Sequence, residues 1–273
     1  MRLPTILIDS FGSLAQVWEQ SVIRTWMNGI NIKTQYDRPG EPPSKACMMI
    51  MEIRDPLMEP RIHRCMPAGL GDLEVYKQEV IDGIHDSWID HSDPKKWQYT
   101  YHERLMTYKT EDCGELYTTN QITYIVDNLA ACFFSRRAQA ITWQPDFDPR
   151  HTDPPCLQRI WGQIMEEDNK LYFTMHAFWR SRDAFKAAYM NMFAFIELQK
   201  VIAKRIGDKI GREVLLGSYV DVSDNYHIYG TYYKEVDDFI KTLDKRTFEE
   251  RTYTTEFAEE FFVETREKLL KEV

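Results

Sequence analysis

From Asp183 to Ile206 the chain is one long, mostly apolar segment, with Phe185, Tyr189, Met192, Phe193, Ile196, Val201 and Ile202 spaced for a helix. A helix that is apolar around most of its circumference must be covered on several sides, and that requires layers of other elements around it. Asn191 lies inside this run, where a buried amide needs hydrogen-bond partners. The chain has 273 residues, enough to supply the cover.

The covering elements are legible in part. Leu14, Val17, Trp18, Val22 and Ile23 predict a helix over residues 14–30 with Gly29 as its stop. Cys47 to Ile53 has strand length, and residues 56–71 read as irregular. A helix is expected from Asp72, a good N-cap, with Leu73, Tyr76, Val80, Ile81 and Ile84 on one face. Tyr99 to His102 alternates like a strand, and residues 118–131 form an amphipathic helix ending before Ser135-Arg136-Arg137. Ala138 to Trp143 then reads as a strand. Ile160–Ile164 and Leu171–Phe178 read as two strands around a polar turn, and Val214 to Val222 as a third. Beyond Lys234 the helical pattern weakens, and residues 267–273 read as a frayed end. With no repeat, low-complexity tract or linker, one domain over 1–273 is expected.

Composition excludes several functions. A net charge of −9 disfavours a general nucleic-acid binder, although a few converging arginines can still hold an anionic ligand. No stretch approaches the length of a membrane span, and the N-terminus offers only the apolar run Thr5–Ile8, so a cytoplasmic location is expected. Cys47, Cys65, Cys113, Cys132 and Cys156 are odd in number and scattered, which argues against a disulfide framework and a zinc site. His85 and His91 lie near aspartates, but no spacing fits a metal-ligand pair on one helical face, so no metal is expected.

Chemistry concentrates downstream of Asp153-Pro154-Pro155-Cys156. Two prolines fix the backbone approach to the cysteine, since each locks φ and offers no N–H. Arg180-Ser181-Arg182-Asp183 follows, with Asn191 eight residues after Asp183. Together these supply a nucleophile, an anion clamp and an amide able to read a polar ring edge. The pattern resembles the catalytic core of the thymidylate synthase family, where a Pro-Cys nucleophile precedes Arg-Ser-x-Asp and an asparagine at this spacing. Asp37-Arg38-Pro39-Gly40 is similar to the family's Asp-Arg-Thr-Gly loop, and Ser135-Arg136-Arg137, with its strand and Trp143, to its double-arginine segment. Asp224-Asn225-Tyr226-His227-Ile228-Tyr229 resembles its Gly-Asp-x-His-x-Tyr segment.

The resemblance implies an α/β (α+β) fold, a large mixed sheet packed by helices, with a sheet face forming a dimer interface. It implies one-carbon transfer to C5 of a pyrimidine nucleoside monophosphate, deoxyuridylate to thymidylate, through a cysteine adduct at C6. The donor would be 5,10-methylene-tetrahydrofolate or a related tetrahydropterin. Cys156 is the implied nucleophile, Arg180 its activator, Asn191 the base reader, and Tyr101 the tyrosine of the cysteine pocket. Glu79 would serve proton transfers through water, although on its own it reads as a solvent-facing helix glutamate. Arg38, Arg180 and Ser181 would meet the phosphate, joined by Arg136 and Arg137 from the second chain of a homodimer. His227 and Tyr229 would bind the deoxyribose 3′-hydroxyl, Asp183 the pterin, and Trp88 would stack on the donor.

Several positions depart from the family. Leu157 follows the cysteine where histidine is usual, Trp179 replaces a glutamine, Ala187 a glycine, and the usual apolar C-terminal ending is missing. Without that ending, water capture of the exocyclic methylene would give a hydroxymethyl product on a uracil or cytosine nucleotide. A nucleotide hydrolase on the same scaffold and an inactive regulatory or RNA-binding relative are further alternatives. Read without a family, Cys156 and His227 suggest a cysteine hydrolase, though nothing indicates a peptide or ester pocket.

Overall fold

The computed structural model describes residues 2–10 and 12–272. In chain order the elements are β1 (Thr5–Ser10), α1 (Leu14–Asn28), β2 (Ile30–Ile32), β3 (Ser44–Ile53), β4 (Ile62–His63), α2 (Leu70–Asp82) and α3 (Tyr101–Met106). Next come β5 (Tyr108–Asp112), β6 (Glu115–Thr119), α4 (Gln121–Ala131), β7 (Gln139–Ile141), β8 (Leu157–Glu167) and β9 (Lys170–Trp179). The chain ends with β10 (Arg182–Asp183), α5 (Ala188–Ile210), β11 (Val214–Ile228), α6 (Tyr233–Leu243), β12 (Thr252–Tyr253) and α7 (Thr255–Glu272). The fold is mixed α/β, with eight strands in one large mixed sheet packed by helices.

The residues gather into two compact units, each assembled from distant segments. The first holds Met1–Val75, Trp179–Phe193 and Val220–Val273, and the second holds Tyr76–Phe178 and Ala194–Tyr219.

In the first unit β1 runs parallel to β3, with Thr5 opposite Met48 and Ser10 opposite Ile53, and β2 pairs antiparallel with β3. The short β10 lies parallel to β11 and sets Asp183 beside His227. Trp18 of α1 is the centre of the core: it is fully buried, and its indole N–H donates to Ala184 O at 2.9 Å. The rings of His63, Phe185, Tyr189 and Phe239 surround it at 5.1–6.1 Å. Losing such a side chain costs about 3–5 kcal/mol. Beneath it Glu19 is buried and accepts from His63 Nε2 at 3.1 Å and from Arg251 Nη2 at 3.0 Å. The two partners hold the Glu19 carboxyl below its ordinary range against the opposing effect of burial.

The second unit contains the hairpins β5–β6 and β8–β9, and β7 pairs antiparallel with β8. Asp168 and Asn169 make the β8–β9 turn with φ of 49° and 60°, a conformation tolerated by short polar side chains. Ile122, Ile125 and Leu129 of α4 are buried, as are Phe173 and Phe195. Arg104 and Asp148 form a buried, two-pronged pair at 3.1 and 2.7 Å, and Asp148 also accepts from Gln144 N at 2.6 Å. That pair anchors the loop leading to Cys156, and truncating either partner would leave a buried charge at a cost of about 3–5 kcal/mol.

Several local expectations change. Asp72 lies inside the first turn of α2, and its carboxylate reaches back to accept from Gly69 N at 2.7 Å, so the helix starts earlier than the sequence suggests. Tyr101 opens a helix rather than sitting on a strand, because Thr100 caps it by accepting from Glu103 N. The strand β2 was not expected, β11 continues to Ile228, and α7 is helical to Glu272 rather than frayed from 267.

Candidate functional site

The sequence-predicted residues divide between the units. In the second unit, the latter half of α2 carries Glu79 toward a cavity of about 420 Å³. Tyr76, Trp97, Tyr99, Tyr101 and Asp153 also line it. Gly83 ends α2 at φ +68°, and a Cβ there would lie 2.2 Å from His102 Nδ1, so only glycine allows this close approach. The chain turns at once, and His85 Nδ1 comes back within 3.0 Å of Glu79 Oε2. The imidazole stacks on Trp88 with ring centroids 3.7 Å apart and planes 19° apart, while Trp97 packs edge-on against both rings. An adjoining depression of about 490 Å³ is lined by Trp88, Asp90, Lys95, Lys96 and Trp97. Trp88 is half exposed there, so one face is taken by His85 while much of the indole stays open to solvent.

Cys156 is half-buried immediately before β8. The next peptide is tied to the cavity wall, since Leu157 N donates to Tyr101 OH at 3.4 Å. Burial and the nearby Cys156 charge push the Tyr99 phenol up. Burial, then the charges of Tyr99 and Cys156, push the Tyr101 phenol well up. Both therefore remain protonated hydrogen-bond donors at neutral pH. Burial also raises the Glu79 carboxyl, and the His85 hydrogen bond opposes that rise. The wall thus holds a carboxyl that binds its proton more tightly than a solvated one does.

Arg136 and Arg137, also of the second unit, are exposed between α4 and β7. Their backbone is fixed, with Arg136 O accepting from Trp161 Nε1 at 3.1 Å and Arg137 O from the Tyr124 hydroxyl at 3.4 Å. Neither guanidinium is paired among the described residues.

In the first unit, Arg180 and Ser181 form the turn between β9 and β10, both half-buried. Arg182 behaves differently. It is buried, pairs with Asp221, lies 4.1 Å over the Trp179 ring and donates to Ala188 O at 2.8 Å. Its charge is therefore committed to the fold, while Arg180 occupies the turn. Asp183 accepts from Phe185 N at 2.9 Å and Lys186 N at 2.8 Å, yet burial pushes its carboxyl up to about 6. Asn191 lies on α5 and is 8% exposed, a buried amide as the sequence requires.

His227 is buried and its Nδ1 faces Asn225 Oδ1 at 3.1 Å. Its Nε2 is buried with no hydrogen-bond partner among the described residues. Burial holds the imidazole below its ordinary pKa, so the ring is neutral at pH 7. Tyr229 packs edge-on against it at 4.5 Å. Asp37 fixes the Arg38 loop by accepting from Thr34 N at 2.8 Å, Thr34 Oγ1 at 2.9 Å and Ser44 Oγ at 3.1 Å, leaving Arg38 exposed.

In the second unit Glu79 and Tyr101 thus line one cavity, Trp88 lines the depression beside it, and Cys156 precedes the Leu157 amide bonded to Tyr101; in the first, Asp183 lies beside His227, against which Tyr229 packs. Sequence reasoning missed Tyr99, Trp97 and the His85 bond to Glu79. Their signal was the aromatic-rich stretch from Trp88 to Tyr101. Among the described residues no group of three or more histidines, cysteines or acids could hold a metal, and no helix is long and apolar enough to cross a membrane.

Comparison with known proteins adds the family. The thymidylate synthase family profile matches residues 72–260. A protein of Methanocaldococcus jannaschii named "Putative thymidylate synthase" is 29% identical over 222 residues, covering 80% of this chain and 88% of its own. A Methanopyrus kandleri protein of the same name is 27% identical over 202 residues, covering 71% and 82%. The thermostable thymidylate synthase A of Bacillus subtilis superposes with a TM-score of 0.59 over 84% of each chain, at 19% identity, and so shares the fold. The chain belongs to the thymidylate synthase family.

Proposed function

We propose that the protein transfers a one-carbon unit to C5 of a pyrimidine nucleoside monophosphate, converting deoxyuridylate to thymidylate. The observation that carries this reading is the cavity wall described above: a half-buried carboxyl and two protonated phenols, with Cys156 three residues beyond Asp153 of the same wall. Pyrimidine C5 is not nucleophilic until something adds at C6. The Cys156 thiolate makes that addition, and the C5–C6 π pair moves to the C4 oxygen as an enolate. Asn191 stabilises the oxyanion by donating a hydrogen bond. Once C5 carries the new carbon, Glu79 removes the C5 proton through water, a role worth about 10²–10⁴ in rate.

Recognition falls to the other residues. Arg38, Arg180 and Ser181 bind the phosphate, with Arg136 and Arg137 supplied by the second chain of a homodimer. Charge-assisted contacts of this sort contribute roughly 1.5–3 kcal/mol each. The bare, buried Nε2 of His227 suits a sugar hydroxyl, with Tyr229 beside it. The donor, a methylene-tetrahydrofolate-type pterin, supplies the carbon. Half-exposed Trp88 gives it an aromatic surface, and Asp183, titrating near 6, can either accept from or donate to its edge.

Mass analysis of the nucleotide after incubation with deoxyuridylate and a methylene-pterin tests the reading, and a methyl adduct is expected. A hydroxymethyl adduct would keep the Cys156 chemistry and replace the final reduction by water capture. An unmodified nucleotide would sink the proposal. The shared site has its own test. Mixing an Arg137→Ala chain with a Cys156→Ser chain should restore activity, because each mixed dimer holds one site with both parts intact. No recovery after verified subunit exchange would count against it.

A further inference from the structure

We propose that His85 is the positioning residue for Glu79, fixing the carboxylate in the cavity and keeping it ionised until it takes the C5 proton. This rests on the function proposed above. A buried carboxylate needs hydrogen-bond donors to stay charged. The position after Cys156 is Leu157, fully buried and without a polar atom in its side chain, so it offers no such donor. His85 does: its Nδ1 lies 3.0 Å from Glu79 Oε2, and the side chains of both are 13% exposed. Because Gly83 ends α2 in the left-handed region, the chain reverses within two residues and returns His85 to the helix it has just left.

The ring cannot swing freely. Trp88 covers one face at 3.7 Å and Trp97 abuts its edge. With the ring locked, a proton on Nδ1 points at Glu79 and nowhere else. The same stack makes His85 a mechanical link: a ligand lying on the open part of Trp88 presses on the plate that orients the base. Other charges face the pair. Asp86 opposes ionisation of Glu79 and is itself bound to His102 at 2.7 Å, while Lys95, Lys96 and Asp153 line the cavity. These remain in the variants below, so a changed pH profile reports on His85.

In the proton-transfer step the C5–H bond breaks, the proton passes through water to the Glu79 carboxylate, and the electron pair stays in the ring as the C4 enolate. The test is tritium release from 5-tritiated deoxyuridylate, with the donor present, by the full chain. His85→Phe keeps the stacking ring and removes both nitrogens. It should lower kcat for release about 10- to 100-fold with little change in nucleotide KM, and should move the acidic limb of the kcat–pH profile to higher pH, because Glu79 loses a bond that favours its charged form. His85→Asn restores an N–H near the Nδ1 position and should bring the limb back toward the wild-type position. If the phenylalanine variant does not fold, His85→Leu carries the same expectation. Release by wild type, with an unmoved limb and unchanged kcat in the variant, overturns the role of His85 and leaves the proposed function standing. No release by wild type overturns the function itself.

Discussion

The two neighbourhoods of candidate residues differ in how burial treats them. In the second unit burial raises the pKa of Glu79, Tyr99 and Tyr101, and so favours their protonated forms. In the first unit stand the cations Arg38 and Arg180, the His227 imidazole with its Nε2 left bare, the Asn191 amide and one acid, Asp183, that burial also raises. The proposed function assigns proton transfer to the former set and most of the recognition of phosphate, sugar and base to the latter. The contrast teaches that, under that proposal, groups that carry protons and groups that bind are favoured by different surroundings.

Breaking the comparison begins with the largest effect. Cys156→Ser should lose turnover by more than about 10³-fold, the scale on which removal of a covalent nucleophile is felt, while equilibrium dialysis still detects the nucleotide. Comparable activity would remove the distinction between a chemical and a binding region. The base reader comes next. Asn191 can offer its carbonyl to N3–H and its NH₂ to O4 of uracil, whereas cytosine presents an acceptor at N3. Leaving a buried polar group unpaired costs about 1–3 kcal/mol, so a roughly ten- to hundredfold preference for deoxyuridylate over deoxycytidylate is expected in kcat/KM. Asn191→Asp should shift that preference toward cytosine, and a preference the substitution leaves untouched would show that another residue reads the base.

The smallest effect sharpens the comparison, since Asp183 is an acid raised by burial on the recognition side. Its folded pKa of about 6 lies above the ordinary 3.8, so its stabilising contribution is fully present below about pH 4 and is lost as pH rises through 6. The loss is of order 2–3 kcal/mol. Asp183→Asn keeps the acceptor for Phe185 N and Lys186 N and should flatten this part of the stability profile. Urea unfolding at pH 4.5 and pH 8 measures it, and an equal pH dependence in both proteins would show that Asp183 is no more strained than a solvated acid.

What the sequence revealed follows the range of the interactions. Arg180, Asp183 and Asn191 could be proposed from the sequence because the pattern that singles them out is spacing within one short segment. The long buried helix and the β8–β9 hairpin were legible from periodicity, which is local too. Tyr99 to His102 was misread because two alternating tyrosines mimic a strand, and only the bond of Thr100 to Glu103 N reveals the helix start. The bond between His85 and Glu79 depends on a left-handed glycine between them, a backbone angle that residue types alone do not specify. The division into two units is hidden for a similar reason, since each unit is assembled from separated stretches and no linker marks the change.

The Glu19 site carries a consequence for where this chain tolerates being cut. Arg251 gives two hydrogen bonds to a carboxylate on α1, 232 residues upstream, and His63 completes the knot. A truncation after residue 254 would remove α7, together with the contact of Arg266 to Glu74, but leave the knot tied. A truncation before residue 251 would strand a buried negative charge beneath Trp18. Arg251, rather than the last residue, is the point at which the C-terminal segment stops being trim and becomes foundation.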